Sequence, residues 1–163
     1  MLYFAYGSNL FPSRLRRRCP SARFRGAAAI DGYRLVFHKI GRDGTAKADF
    51  VEDGASVLHG ALCRIAGEDE PSLDRAEGRG TGYRRIGVEV YAAGERTPAE
   101  TYRALRVDDS LLPFDWYVGY VIAGAREHGL PAEWIRDLEQ HPVIVDDDAT
   151  RRDRHWAVIR EPT

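Results

Sequence analysis

Several features that indicate a particular compartment are scarce in this 163-residue chain. It has only two cysteines, Cys19 and Cys63, which lie far apart and form no CxxC pair, so we expect free thiols in a reducing cytosol. Met1 leads directly into LYFAYG without a basic segment, an apolar segment or a cleavage site, and no apolar run is long enough to cross a membrane. We therefore expect a cytoplasmic protein without a membrane partner.

An excess of charge of one sign is also lacking, because the formal net charge is −1. A nearly neutral chain has no global attraction for nucleic acid, and the basic segment from Arg14 to Arg18 is interpreted as a solvated helix face. The run from Asp146 to Asp148 lacks the spaced ligands and the glycine of a calcium loop, which favours a hydrated surface loop. We expect no nucleic-acid partner, no metal and no cofactor.

What the sequence does contain is the composition of a globular α+β domain. Apolar residues make up 44% and charged residues 30%, and the length fits a single domain over residues 1–163. Apolar stretches separated by turn residues at 31–32, 52–54 and 94 predict about six or seven strands, the last of them at 154–160. The predicted fold is a small, mostly antiparallel β-barrel with flanking helices.

The helical patterns are fewer and better delimited than the strands. Helices are predicted at residues 10–18, in EDEPSLDRAEG up to Gly78, over residues 111–129, and after Pro131. Gly78 and Gly129 suit the position that follows the last helical residue, where a left-handed backbone is common.

The stretch YGSN at residues 6–9 is the first that could carry chemistry. Gly7 permits a backbone in which successive N–H groups face one concavity, which suits a carboxylate or an oxyanion. Ser8 and Asn9 add short side chains that form hydrogen bonds. On these residues alone, a simple corner between strand and helix with Asn9 as the N-cap is the favoured interpretation, because Gly-Ser-Asn is a frequent turn composition.

Glu77, in LDRAEGRGTGYRR, is the second candidate. It ends a predicted helix, where the helix dipole disfavours a charged carboxylate, so Glu77 suits the role of a general base. Glycines at positions 78, 80 and 82 would allow backbone or ligand to come close. The alternative is a solvent-exposed glutamate at the end of an acidic helix.

YFAYGSNL, LDRAEG and GAREHGLPAEW follow one another in this order, and together they resemble the γ-glutamylcyclotransferase family. The resemblance extends from Leu2 to Pro131, and the pairing of YGSN with LDxxEG is its most specific part. It implies a barrel-like fold and an enzyme that cyclises the γ-glutamyl group of a γ-glutamyl amino acid or amine to 5-oxoproline, with release of the amine. The implied partner is a small molecule, and a homodimer is possible.

The resemblance also implies a set of site residues. Glu77 corresponds to the catalytic glutamate, and the γ-glutamyl group would be held by Tyr6, Gly7, Ser8, Asn9 and Tyr117. Tyr83 and Tyr102 would line the cavity. Two departures from the family pattern, Arg79 and a charged loop between Gly41 and Val51, concern the leaving group rather than the chemistry.

Other functions stay open on the sequence alone. One is a non-catalytic domain that binds a γ-glutamyl or amino-acid-like ligand, and another is removal of a γ-glutamyl protecting group in a biosynthetic pathway. A serine hydrolase using Ser8 is disfavoured because no GxSxG elbow is present. The sequence does not distinguish whether the α-carboxylate or the oxyanion lies on the amides of residues 7–9, nor does it define the leaving group.

Overall fold

A five-stranded closed barrel forms the centre of the computed structural model, which describes residues 1–161. The strands follow the order β1-β3-β2-β4-β5 around the barrel, and every neighbouring pair is antiparallel except β1 and β5. Their bounds are Leu2–Ala5 (β1), Arg23–Ile40 (β2), Ala46–Arg64 (β3), Tyr83–Ala92 (β4) and Glu95–Ala104 (β5). The prediction of an α+β fold with a mostly antiparallel barrel is confirmed.

The predicted number of strands is too high because two turn signals do not form turns. Asp31-Gly32 and the segment 52–54 were each expected to separate two strands, but β2 and β3 run straight through them. In the β2–β3 pairing Asp31 lies opposite Val57 and Tyr33 lies opposite Glu52, so the two signals face each other across the ladder. Each therefore becomes part of one bulge that bends the paired strands.

Five helices pack around the barrel. They are α1 (Pro12–Arg18), α2 (Glu70–Glu77), α3 (Asp115–Glu127), α4 (Ala132–Glu139) and α5 (Ala149–Arg160), with short 3₁₀ turns at Ser8–Leu10 and Gly67–Asp69. Gly78 ends α2 with a left-handed backbone, at φ 62°, as its position predicts. No helix among residues 1–161 is long and apolar enough to cross a membrane.

The strand predicted at residues 154–160 is wrong, because this segment belongs to α5. The side chain of Asp148 caps the helix by accepting a hydrogen bond from the N–H of Arg151 at 2.9 Å. The expected hydrated loop at 146–148 is also wrong for Asp146, which is buried and accepts hydrogen bonds from Trp116 Nε1 and from the Arg151 side chain. The acidic run therefore starts a helix and fixes it to α3.

Helix α3 holds the corner that follows β1. A Cβ on Gly124 would lie 2.5 Å from the carbonyl carbon of Leu10, so only glycine lets the helix come this close to the backbone of the 3₁₀ turn. His128 lies within hydrogen-bond distance of the Leu10 carbonyl oxygen, at 3.0 Å. The GAREHGLP segment thus positions the YGSN corner.

A similarly close approach inside the barrel can be tested at Gly60 in β3. A Cβ there would lie 2.4 Å from the carbonyl oxygen of Ala5 and 2.7 Å from the ring of Phe4. We expect Gly60→Ala to lower the free energy of unfolding by about 1–3 kcal/mol through overpacking, measured by urea denaturation. Gly54→Ala is the matched control, since it lies in the same strand and its added methyl group would meet no atom within 4 Å. Equal stability of the two variants would contradict the close β1–β3 packing.

Candidate active site

The corner after β1 and the end of α2 meet at one carboxylate. Asn9, the only asparagine of the chain, donates from Nδ2 to Glu77 Oε1 at 2.8 Å, although the two residues are 68 positions apart. Arg18 Nη1 donates both to Asn9 Oδ1 at 2.8 Å and to Glu77 Oε1 at 3.0 Å. The three side chains form a closed triangle that fixes the Glu77 carboxylate beside the YGSN corner.

The Glu77 side chain is only 15% exposed, so it does not lie in bulk solvent as an ordinary helix-end glutamate would. Its described hydrogen bonds all fall on Oε1. Within residues 1–161, Trp156 Nε1 is the only fully buried side-chain polar atom without a partner, so Glu77 Oε2 reaches open space. One oxygen is therefore anchored and the other is available to a ligand.

Tyrosines form the wall beside this carboxylate. Tyr6 Oη donates to the carbonyl oxygen of Tyr102 at 2.5 Å, and Tyr83 Oη donates to the carbonyl oxygen of Ala48 at 2.6 Å. Tyr117 Oη accepts the N–H of Ala48 at 3.1 Å, which leaves its own hydroxyl proton free to donate. A small inner cavity of about 20 Å³, the size of one water, lies among Tyr3, Tyr6, Tyr83, Tyr102, Tyr117 and the residues Gly7–Asn9.

Burial raises the pKa of Tyr3, Tyr6 and Tyr83 well above the ordinary value for a phenol, and it also raises the pKa of Tyr117. The negative charge of Glu77 raises the pKa of all four further. They are neutral phenols near neutral pH and act as hydrogen-bond donors and acceptors.

Gly7 is needed because the corner passes very close to its neighbours. A Cβ at this position would lie 2.9 Å from Ala48 Cβ and 3.6 Å from Tyr117 Oη. No turn or loop hydrogen bond of residues 1–161 uses the N–H of Gly7, Ser8 or Asn9 as a donor. Asn9 lies inside the 3₁₀ turn and is not the N-cap of α1, a position taken by Phe11. The alternative of an ordinary capped corner is thus wrong.

A larger cavity of about 360 Å³ opens outside the tyrosine wall, and Ser8, Glu77, Tyr83 and Tyr117 belong to the lining of both cavities. Arg14 and Arg18 face the larger cavity, so the interpretation of residues 14–18 as a solvated helix face is wrong for these two. The four-residue spacing that places them on one side of α1 was the available signal.

Arg14 is unusual because it is half-buried and no carboxylate of the described residues pairs with it. Its Nε donates to Ser8 Oγ at 3.1 Å, and its Cζ lies 4.3 Å from the centre of the Tyr120 ring. Among the described residues no acidic side chain forms an ion pair with it. Burial, and next the like charge of Arg18, lower the pKa of Arg14 to about 10, so it stays charged at neutral pH.

The structure thus brings together every site residue that the sequence nominated. Tyr6, Gly7, Ser8 and Asn9 come from the corner, Glu77 ends α2, and Tyr117 enters from α3. Arg79 points away from the cavity and pairs with Asp74 at 2.9 Å. Sequence reasoning missed the cavity-lining cations, among them Arg14, Arg18 and Lys39.

The Asn9 contact can be tested by substitution. Asn9→Leu keeps the volume but leaves Glu77 and Arg18 without their shared amide, and we expect a loss of about 1.5–3 kcal/mol in the free energy of unfolding. In a double-mutant cycle with Glu77→Leu, the two losses should be less than additive by about 1 kcal/mol or more, because each variant removes one end of the same bond. Additive losses would show that the two side chains do not interact.

Known proteins resemble this chain in sequence and in fold. The profile of the AIG2-like family matches residues 57–138, about half of the chain. The γ-glutamylcyclotransferase of Bos taurus is 30% identical over 84% of this chain and 76% of that protein, and the one of Homo sapiens is 32% identical over 85% and 77%. A solved γ-glutamyl cyclotransferase superposes with a TM-score of 0.86 at 24% identity over 99% of each chain.

A second solved structure, an uncharacterized protein from Homo sapiens, superposes with a TM-score of 0.84 at 25% identity over 98% of each chain. The sequence matches cover the Glu77 and Tyr117 segments, and the fold matches cover nearly the whole barrel. The chain therefore belongs to the AIG2-like, γ-glutamylcyclotransferase family.

Proposed function

We propose that this chain cyclises the γ-glutamyl group of a γ-glutamyl compound to 5-oxoproline and releases the amine, with Glu77 as the group that moves protons. Such a substrate contains its own nucleophile, since the α-amine can close a five-membered ring on the γ-carbonyl carbon. Catalysis then requires a folded substrate, a deprotonated amine and stabilisation of the developing oxyanion. Each requirement has a group at this site.

The observation that carries the proposal is the orientation of Glu77. Asn9 and Arg18 hold Oε1, and Oε2 is left facing open space beside the neutral phenols. A general base must be fixed in place and still have an atom within reach of the proton that it takes. Glu77 meets both conditions.

The amino-acid end of the substrate would be anchored by Arg14, a half-buried cation that faces the same cavity and forms no ion pair among the described residues. An α-carboxylate at Arg14 would place the α-ammonium towards Glu77. The N–H groups of Ser8 and Asn9 and the free hydroxyl proton of Tyr117 would then stabilise the oxyanion on the γ-carbonyl oxygen.

The proton balance closes with one carboxylate. Glu77 takes a proton from the α-ammonium, and the resulting amine attacks the γ-carbonyl carbon to form the new C–N bond. As the tetrahedral intermediate collapses, the original C–N bond breaks and Glu77 returns this proton to the departing nitrogen. The ring nitrogen still carries two hydrogens, and Glu77 passes one of them on to the released amine, which leaves as an ammonium ion while the lactam nitrogen keeps one hydrogen. The products are 5-oxoproline and the free amine, and no external nucleophile is consumed.

Glu77→Gln tests the proposed role directly, because it removes the basic oxygen and keeps an acceptor for Asn9. We expect turnover of γ-glutamyl-alanine to fall by about 10²-fold or more, measured as 5-oxoproline formed. Glu127→Gln is the matched control, since Glu127 is likewise the last residue of its helix but is exposed. It should retain full activity.

Near-normal turnover by a folded Glu77→Gln variant would falsify the assignment. Binding of γ-glutamyl-alanine by the unmodified protein without any 5-oxoproline over hours would instead favour the non-catalytic binding domain. Thermal unfolding of each variant establishes that the chain is folded when it is assayed.

Ser8 provides a separate test, because a serine hydrolase would depend on its hydroxyl. No histidine lines either cavity around Ser8, and the neighbour of its Oγ is the Arg14 guanidinium, which cannot act as a base. We expect Ser8→Ala to lower turnover by less than about tenfold, since a single hydrogen bond contributes about 1 kcal/mol. Cyclisation would be contradicted if Ser8→Ala lost as much turnover as Glu77→Gln and if the unmodified protein, incubated with substrate, gained the mass of a trapped acyl-enzyme.

A further inference from the structure

The larger cavity has more positive charge than the proposed chemistry uses. Two of its cations are already neutralised, since Arg18 pairs with Glu77 at 3.0 Å and Lys47 pairs with Asp43 at 2.9 Å. Four more face the same cavity without an ion pair among the described residues, namely Arg14, Lys39, Arg42 and Arg106. Arg14 lies at the YGSN corner, so three cations remain for the rest of a bound molecule.

Lys39 is the most informative of the three because it is only 7% exposed. Its Nζ forms no described hydrogen bond and lies 4.8 Å from the centre of the Tyr83 ring. This nitrogen is not sealed off from solvent, since Trp156 Nε1 is the only fully buried unpartnered side-chain polar atom of residues 1–161. A nearly buried ammonium that faces a cavity is suited to bind an anion there.

Arg42 and Arg106 lie on the same side of the cavity as Lys39. The N–H of Ile40 donates to the Arg106 carbonyl oxygen at 3.1 Å, and Lys39 pairs with Val107 in a β-bridge, so Arg106 runs beside the end of β2. Arg42 Nη2 lies 3.4 Å from the position that a Cβ on Gly78 would occupy, and Lys39 Nζ lies 3.1 Å from that of Gly82. The three cations therefore surround the loop that follows Glu77, and we call them the leaving-group cluster.

We propose that the leaving-group cluster selects γ-glutamyl compounds whose leaving group is an acidic amino acid, with two carboxylates. This inference rests on the proposed function, in which the α-carboxylate of the glutamyl group lies at Arg14 and Glu77 lies between the two ends. A monoanionic leaving group would leave the exposed guanidinium groups of Arg42 and Arg106 unused. Two carboxylates match a cluster of one nearly buried and two exposed cations.

The charged loop that distinguishes this chain from the family pattern supports the proposal. Residues 41–45 connect β2 to β3 and supply Arg42 and Asp43 to the cavity lining. Both carboxylate oxygens of Asp43 accept hydrogen bonds from Lys47 Nζ, so Asp43 does not neutralise Arg42. The loop therefore contributes the Arg42 guanidinium to the cavity without an ion pair among the described residues.

The test compares γ-glutamyl-glutamate with γ-glutamyl-glutamine, which have nearly the same shape and differ by one negative charge. We expect kcat/KM for the glutamate compound to exceed that for the glutamine compound by about tenfold or more at low salt. Lys39→Gln, Arg42→Gln and Arg106→Gln should each reduce this ratio. Arg136→Gln, which removes the same charge from an exposed position on α4, should leave the ratio unchanged.

The outcomes separate this inference from the function on which it rests. Formation of 5-oxoproline from both compounds with a ratio of one or less overturns the acidic leaving group and leaves cyclisation intact. If no compound is turned over, cyclisation is wrong, and calorimetry then decides the inference. Tighter binding of γ-glutamyl-glutamate that is lost in Arg42→Gln and Arg106→Gln, which are exposed and not expected to affect folding, supports the cluster, whereas equal binding overturns it.

Discussion

The hydrogen bond from Asn9 to Glu77 is the contact on which the site depends. It joins the end of the first strand to the end of a helix 68 residues later, and Arg18 closes the same triangle. Without it, YGSN would be a turn and Glu77 a surface residue at a helix terminus. With it, a fixed carboxylate, the YGSN corner and neutral phenols line one cavity.

Opposing electrostatic effects act on this carboxylate. The C-terminal end of α2 disfavours its negative charge, while Arg18 at 3.0 Å and the Asn9 amide favour it. Lys39 has its pKa lowered by burial, and the charge of Glu77 works against that shift. The charges around Glu77 and Lys39 are thus coupled through the cavity that both side chains line.

Much of the helical structure could be predicted because its signals are local. Pro71 near the start of α2 and Gly78 after its last residue act within one turn of the helix. Gly129 follows the end of α3 in the same way. The strands were predicted less well, because Asp31-Gly32 forms a turn only where no neighbouring strand pairs with the residues on both sides of it. In the barrel β3 continues alongside, so the outcome depends on a partner strand that no local pattern reveals.

The site was predictable to the extent that it lies in short motifs, and this explains what was missed. YGSN and LDRAEG could be recognised because each is continuous in sequence. The cations come from α1, the end of β2, the loop 41–45, the start of β3 and the segment after β5, and barrel closure brings them to one cavity. The number of basic residues in the sequence does not predict a positively charged cavity, because the net charge of the whole chain is −1.

The two ends of the cavity have different structural origins, and this has a consequence for specificity. The proposed chemistry lies on the corner after β1, on α2 and on α3, where Gly7 and Gly124 leave no room for a side chain. The leaving-group cluster lies partly on the loop 41–45 and the segment after β5, where Arg42 and Arg106 are exposed. Exposed loop positions tolerate substitution far better than a close-packed corner, so the barrel can change what it releases without altering how it cyclises.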